Sequence, residues 1–408
     1  MPSSRRSGAV SGAPSPLQPL LTDNISPDVL YGYGDPGILR VVPADGGSAS
    51  YYVVVTSNDA PNAFPILRSP DLRAWELSGF VFPAGAKPEW AADVAAGGEY
   101  WAPELHFVGG RFVVCFAARE PSGALAVGFA SSADPSGPFE PAKLPVLRGG
   151  VIDPHLFVDD DGSTTLFWKA DSNDVWPSLL SGLLHERPEL VQTLFRAPED
   201  RRTASLSALF WPWVRTLGAM ERFFVQQILI EAVVADFVRF QRVLEQTIDR
   251  DKGPLRARGT EILQAMRTRI SAQRVDTERM TLAGESTIVL ENDLAWEGHL
   301  VEGVWVTKRQ GRYYMFYSGN DFSTAQYGVG VAVAATPFGP YQKRREPLVR
   351  STADWWGPGH PSVASGPDGE PWMFLHGYFP QRVGYKEFRA LLAAPLQFAD
   401  GKVNLGRM

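Results

Sequence analysis

Cysteine is nearly absent from this 408-residue chain: the single one, Cys115, lies inside the apolar run Arg111 to Ala118. No disulfide framework can form within the chain, so cysteine usage leaves the redox compartment unread, and Cys115 is expected to be a buried structural thiol. Basic charge is also short. Thirty-nine Lys and Arg against 45 Asp and Glu leave a net charge of -6 and a pI near 5.6. Nothing is available to neutralise a phosphate backbone, so no nucleic-acid partner is expected. The six histidines show no metal-ligand spacing, so no metal ligands are assigned. No apolar run approaches the length of a membrane span, so no membrane partner is expected. The start, Met1-Pro2-Ser3-Ser4-Arg5-Arg6, runs on in Ser, Gly, Pro and Ala without the apolar segment of a secretory leader. Residues 1–25 read as a flexible tail. The expected location is the cytoplasm, or outside the cell if a leader has been trimmed.

What is present is a repeat. A short apolar strand, a Gly-containing turn and a second strand rich in aromatic and β-branched residues recur five times. Asp35 to Val42 leads through Asp45-Gly46-Gly47 to Tyr51–Val55, and Ala102 to Val108 through Gly109-Gly110 to Phe112–Val114. Asp153 to Val158 leads through Asp161-Gly162 to Thr164–Trp168. Glu302 to Thr307 leads through Gln310-Gly311 to Tyr313–Tyr317, and Pro361 to Ser365 through Asp368-Gly369 to Trp372–Leu375. Two units add a third strand and a Gly-Pro turn, at Val127–Phe139 and Val331–Tyr341. The pattern predicts an all-β, five-bladed β-propeller over residues 26–408, as one domain.

One spacing departs from the rule. About 150 residues separate Asp153 from Glu302. The excess, 174–268, changes period: Phe223, Ile230, Val234, Phe237, Leu244 and Ile248 recur at helical spacing. Gly253-Pro254 should break this helix, and a second is expected from Leu255 to Thr268. The segment reads as an α-helical insertion between strands two and three of blade three. The loop after strand two lies on the face where strand one begins. The segment is therefore expected on that face, as a cap over a pocket or as an oligomerisation element through which the chain forms a homo-oligomer.

Acidic residues stand where strand one begins: Asp35 before Pro36, Asp153 before Pro154, and Glu302 before Gly303. A lone Asp-Pro is ordinarily a turn former. Three acids at corresponding repeat positions converge on the axis of a propeller and predict one acidic pocket.

With these residues the chain resembles glycoside hydrolase family 43, which groups β-xylosidases, α-L-arabinofuranosidases and arabinanases. The resemblance rests on Asp35-Pro36, the stretch Phe64 to Leu72, Trp101-Ala102-Pro103-Glu104-Leu105 and Ile152-Asp153-Pro154-His155. It continues through Trp296-Glu297-Gly298, Val301-Glu302-Gly303 and Gly359-His360. It implies an inverting hydrolase of α-L-arabinofuranose or β-D-xylose in hemicellulose-derived oligosaccharides, and a capped pocket would favour exo release of the terminal pentose. By that resemblance Asp35 is the general base, Glu302 the general acid, and Asp153 tunes the acid and orients the sugar. Inversion needs two carboxyls roughly 6.5 to 9.5 Å apart, one ionised and one protonated. A nearby Asp153 carboxylate would hold the proton on Glu302 by like-charge repulsion. Phe64, Trp101 and Trp168 are candidates for the sugar platform, and His360 for a structural or water-holding role. Arg389 reads as a group reaching a sugar hydroxyl or as a surface residue, and Glu104 as a hydrogen-bonding support. No cofactor is required, and a calcium ion near His360 is optional. Val304 stands where the family usually has proline, and the helical segment is no part of its usual fold. An endo-acting arabinanase and a non-catalytic sugar-binding propeller stay open as alternatives. Ile152 before Asp153-Pro154 speaks against a sucrose or fructan hydrolase.

Overall fold

In the computed structural model, which describes residues 15–43, 46–56, 61–92, 99–171, 173–251 and 253–406, the repeats close as antiparallel hairpins. Asp45 of the first turn lies outside the described residues. The chain enters as β1 (Gln18–Leu21). Blade one is β2 (Gly34–Val41), β3 (Ser50–Thr56), β4 (Ala63–Ser69) and β5 (Glu76–Phe82). Blade two is β6 (Tyr100–Val108), β7 (Arg111–Arg119), β8 (Leu125–Ser132) and β9 (Glu140–Pro141). Blade three is β10 (Val151–Val158), β11 (Thr164–Ala170), β12 (Arg269–Asp276) and β13 (Thr281–Glu291). Blade four is β14 (Val301–Arg309), β15 (Arg312–Gly319), β16 (Gly328–Ala334) and β17 (Gln342–Lys343). Blade five is β18 (Trp356–Ser365), β19 (Pro371–Tyr378) and β20 (Arg389–Ala399), with β1 and β21 (Lys402–Leu405) both paired to β20. The first strands touch in a closed ring, β2 to β6, β10, β14, β18 and back to β2. Apolar faces of neighbouring blades pack between them, as where Phe64 and Phe82 of blade one meet Tyr100 and Phe116 of blade two.

The expected tail needs correction. Residues 18–21 form a strand whose partners include Ala393 and Leu392. This pairing covers the edge that β20 would otherwise expose and ties the start of the chain to the last blade. Of the tail, residues 1–14 lie outside the described residues.

The helical segment expected between strands two and three of blade three holds more helices than periodicity showed. Between β11 and β12 run α1 (Val175–Glu186), α2 (Leu190–Leu194), α3 (Pro198–Val214), α4 (Ala219–Val234), α5 (Phe237–Asp249) and α6 (Pro254–Ala265). The single helix expected from Phe223 to Ile248 is two helices, broken at Ala235-Asp236. No Gly or Pro marks that break; Asp236 leaves the helical region at φ -146°, ψ 52°. The first three helices escaped periodicity because α1 is apolar over much of its surface and α3 carries an internal Pro212. The six share a core of their own around Trp176, Leu184, Ile230, Phe240 and Ile262.

The five first strands share one irregularity. Each has a bulge of one extra residue near its start, within Gly34/Gly37, Trp101/Glu104, Ile152/His155, Glu302/Trp305 and Gly359/Ser362. The second residue of each span has positive φ: Asp35 51°, Ala102 45°, Asp153 54°, Gly303 56° and His360 52°. Left-handed backbone at non-glycine residues is uncommon and clusters where a bulge re-aims a side chain. This fivefold register corrects the expected correspondence of the acids. Asp35 and Asp153 are equivalent, but Glu302 stands one position earlier, level with Gly34, Trp101, Ile152 and Gly359.

Candidate active site

The bulges aim Asp35, Asp153 and His360 into one cavity of about 150 Å³, which Glu302, Trp101 and Arg389 also line. One water needs only about 10–15 Å³. The cavity therefore has room for a small polar ligand at the mouth of the propeller axis.

Asp35 is held from blade five. Arg389 Nη1 donates to its Oδ1 at 2.8 Å, and His360 Nδ1 lies 3.4 Å from the same oxygen. The backbone N–H of Asp35 donates to His376 Nδ1 at 3.1 Å. Burial pushes the His376 ring down to about 4, so it is neutral and its 3.4 Å approach to Asp35 Oδ1 is not an ion pair. Burial opposes ionisation of Asp35. The Arg389 guanidinium overrides it, and the carboxyl is held well below the usual carboxylate range. Gly34 makes this contact accessible: a Cβ there would sit 1.7 Å from the guanidinium carbon of Arg389.

Glu302 has the opposite setting. Tyr327 donates to its Oε1 at 2.9 Å, and Lys169 Nζ lies 3.4 Å from its Oε2. Burial pushes its carboxyl up to about 7; Lys169 opposes the rise and the Asp153 carboxylate adds to it. Asp153 accepts the backbone N–H of Gly303 at 2.9 Å, and burial raises its carboxyl as well. Gly303, at positive φ, lets His360 close on the strand, since a Cβ there would meet His360 Nδ1 at 3.1 Å. Two carboxyls with opposed preferences thus face one cavity: one stays ionised, and the other keeps its proton to near neutral pH.

Two expected platform residues are elsewhere. Phe64 is fully buried between blades one and two, against Phe82, Tyr100 and Phe116. Trp168 packs with Leu166, Val151 and Val275 between blades; the next residue, Lys169, is the one that turns to Glu302. Trp101 does line the cavity, with the Arg119 guanidinium 5.7 Å from its ring centre. Arg389 is neither a surface residue nor free for a hydroxyl alone, being buried on Asp35. Sequence reasoning missed His376, Tyr327 and Lys169. A lysine ending the apolar strand Thr164–Trp168 was the one visible signal.

The helices reach the same cavity. Ala219, Met220 and Phe223 of α4 line it with Phe322 and Tyr385. Phe223 stacks on Phe322 at 6.3 Å and 11°, and Phe224 meets Tyr385 at 4.2 Å. Beneath the cavity, Glu104 accepts from His155 Nδ1 at 2.7 Å and is 2.9 Å from His106 Nε2. Glu104, His106 and Cys115 form the one cluster of metal-ligating chemistry among the described residues. Its donors are turned on one another, and the thiol donates to Pro154 O at 3.1 Å.

Known proteins carry the same plan. The chain is 39% identical over 70 residues to xylosidase/arabinosidase 43A of Humicola insolens, a match covering 17% of this chain and 21% of that protein. It is 30% identical over 128 residues to a putative beta-xylosidase of Xylanibacter ruminicola, covering 31% of this chain and 23% of that protein. The matched stretches thus span under a quarter of either relative. Among solved structures, a thermostable family-43 glycoside hydrolase superposes with a TM-score of 0.62 at 24% identity, covering 92% of this chain and 94% of that one. An endo-1,4-beta-xylanase of Bacteroides thetaiotaomicron gives 0.59 at 20%, covering 94% and 97%. Both share the fold. The family model "Glycosyl hydrolases family 43" matches residues 31–194 and 257–403, more than half of the chain, and with the propeller and its mouth in view this protein belongs to glycosyl hydrolase family 43.

Proposed function

We propose that this hydrolase releases a terminal pentose, α-L-arabinofuranose or β-D-xylose, from a larger glycoside with inversion at the anomeric carbon. Asp35 takes a proton from the attacking water, Glu302 protonates the departing oxygen, and Asp153 supports the acid and orients the sugar. The observation that carries the reading is the opposed setting of the two carboxyls. Arg389 keeps Asp35 ionised, and burial holds the proton on Glu302 to about 7, which is the division of labour that inversion requires. Trp101 offers a ring for the sugar face. The printed names of the relatives, xylosidase and arabinosidase, fit a pentose substrate.

An exo mode is supported by the wall of Met220, Phe223, Phe322 and Tyr385, which closes the cavity on the helical side. A long polysaccharide would need an open groove there. In this reading the helices act as a cap. No cofactor takes part in the reaction; a calcium ion near His360 would be an electrostatic addition.

The test is turnover of 4-nitrophenyl α-L-arabinofuranoside and β-D-xyloside with NMR of the first-formed anomer. Inverted product from wild type is expected, with Asp35→Asn reduced by at least about 10²-fold on these substrates and Glu302→Gln by as much on a pentose disaccharide, whose alkoxide-like leaving group needs the acid. Retained configuration, or undiminished turnover in either variant, would overturn the assignment.

A further inference from the structure

Among the described residues Lys169 is the one fully buried lysine beside the site; its side chain has no solvent exposure. Taking an ammonium out of water is expensive unless nearby groups compensate. Here they do. Its Nζ donates to Asn173 Oδ1 at 2.8 Å, lies 3.4 Å from Glu302 Oε2 and 3.9 Å from Asp171 Oδ1. Asp171 and Asn173 themselves line the cavity, where β11 gives way to the helices. The remaining charged or titratable groups around Glu302 are Asp153 on β10, Tyr327 before β16 and His360 on β18.

A resting cation beside a proton donor looks counterproductive, since it favours loss of the proton. It becomes useful at the moment of transfer. As the Glu302 proton moves to the leaving oxygen, a carboxylate develops in a dry site, and a fixed ammonium 3.4 Å away stabilises charge that exists only then. We propose that Lys169 is a positioning residue that strengthens Glu302 as an acid, so that the enzyme expels poor, alkoxide-like leaving groups. Asn173 and Asp171 hold the ammonium in place. The substrate class that needs this help is a glycoside of an alcohol or a second sugar. An activated aryl glycoside, whose phenolate departs with little protonation, needs it least. The inference rests on Glu302 being the general acid.

The experiment compares wild type, Lys169→Met and Asn173→Ala on a pentose disaccharide and on the matching 4-nitrophenyl pentoside, with full pH profiles. Lys169→Met should lose about 10²-fold in kcat/KM on the disaccharide and no more than about a third of that factor on the aryl substrate. The basic limb of its profile should move to higher pH, because the neutral acid is no longer opposed by a cation. Asn173→Ala leaves the strand interior untouched and should show the same pattern at smaller size, and Lys169→Arg should recover part of the loss. Equal losses on both substrates, or an unmoved basic limb, would overturn the proposal. Glu302→Gln separates the two claims. If Glu302→Gln abolishes disaccharide cleavage while Lys169→Met cleaves it as fast as wild type, the role of Lys169 alone falls. If Glu302→Gln cleaves the disaccharide normally, the acid assignment falls with it.

Discussion

Arg389 reaches Asp35 across 354 residues of sequence and donates to its Oδ1 at 2.8 Å. Both side chains are nearly buried, with 9% and 15% of their surface exposed, so the pair is screened little by solvent. Two features of blade one make it fit: the positive φ of Asp35 and the missing side chain of Gly34.

Arg389→Met should therefore raise the carboxyl of Asp35 and move the acidic limb of kcat/KM to higher pH. It should also lower the maximum by at least about 10²-fold, and Arg389→Lys should recover only part, lacking the planar fork. Gly34→Ala should mimic the loss by displacing the guanidinium, since misplacements of about 1 Å can cost 10²-fold. A pH–rate series on the three variants is the check, and an unmoved acidic limb in Arg389→Met would show that another group sets it.

The wild-type profile should be bell-shaped. Activity rises as Asp35 ionises below the usual carboxylate range and falls above about 7 as Glu302 loses its proton. A basic limb that survives unchanged in Glu302→Asp but vanishes with another residue's variant would reassign the acid.

Glu302 should also weaken the fold at alkaline pH. Its carboxyl is raised from 4.5 to about 7 on folding, so between these values the native state binds more protons than the unfolded chain. Stability then falls as pH rises through that window. Glu302→Gln carries no such penalty. It should melt within error of wild type near pH 4 and on the order of a few degrees higher at pH 8, by calorimetry. A variant that melts lower at both pH values would contradict the direction.

Phe64 and Trp101 should separate stability from binding. Phe64→Ala opens a hole between blades one and two and should destabilise by about 3–5 kcal/mol. Trp101→Ala, at the cavity wall, should raise KM while shifting the denaturation midpoint far less. Denaturant titration and steady-state kinetics of both variants decide it.

The Gly turns and the Asp-Pro, Ala-Pro and His-Pro dipeptides made the blades legible, because turn chemistry acts within a few residues. They marked the left-handed bulge residues Asp35, Ala102, Asp153 and His360 without revealing the backbone that makes them special. Glu302 was aligned by its acid rather than by its backbone. Gly303 holds the equivalent position, and only the strand register displays that offset. In the helical stretch, the periodicity of Phe223 to Ile248 was real, but a break at Ala235-Asp236 carries no breaker residue. The apolar helix α1 has no polar face to set a period, because α3, α4 and α6 cover it.

By itself the sequence determined the five hairpins, the strand starts that face the axis, and Asp35, Asp153 and Glu302 as the acids gathered there. Each of these follows from local turn preferences, alternation and order along the chain. Only the tertiary structure decided what those acids experience. His376 meets Asp35 across 341 residues and Lys169 meets Glu302 across 133, distances at which no local pattern operates. Neighbouring strand residues point to opposite faces, so Trp168 faces a blade interface while Lys169, one residue on, faces the acid.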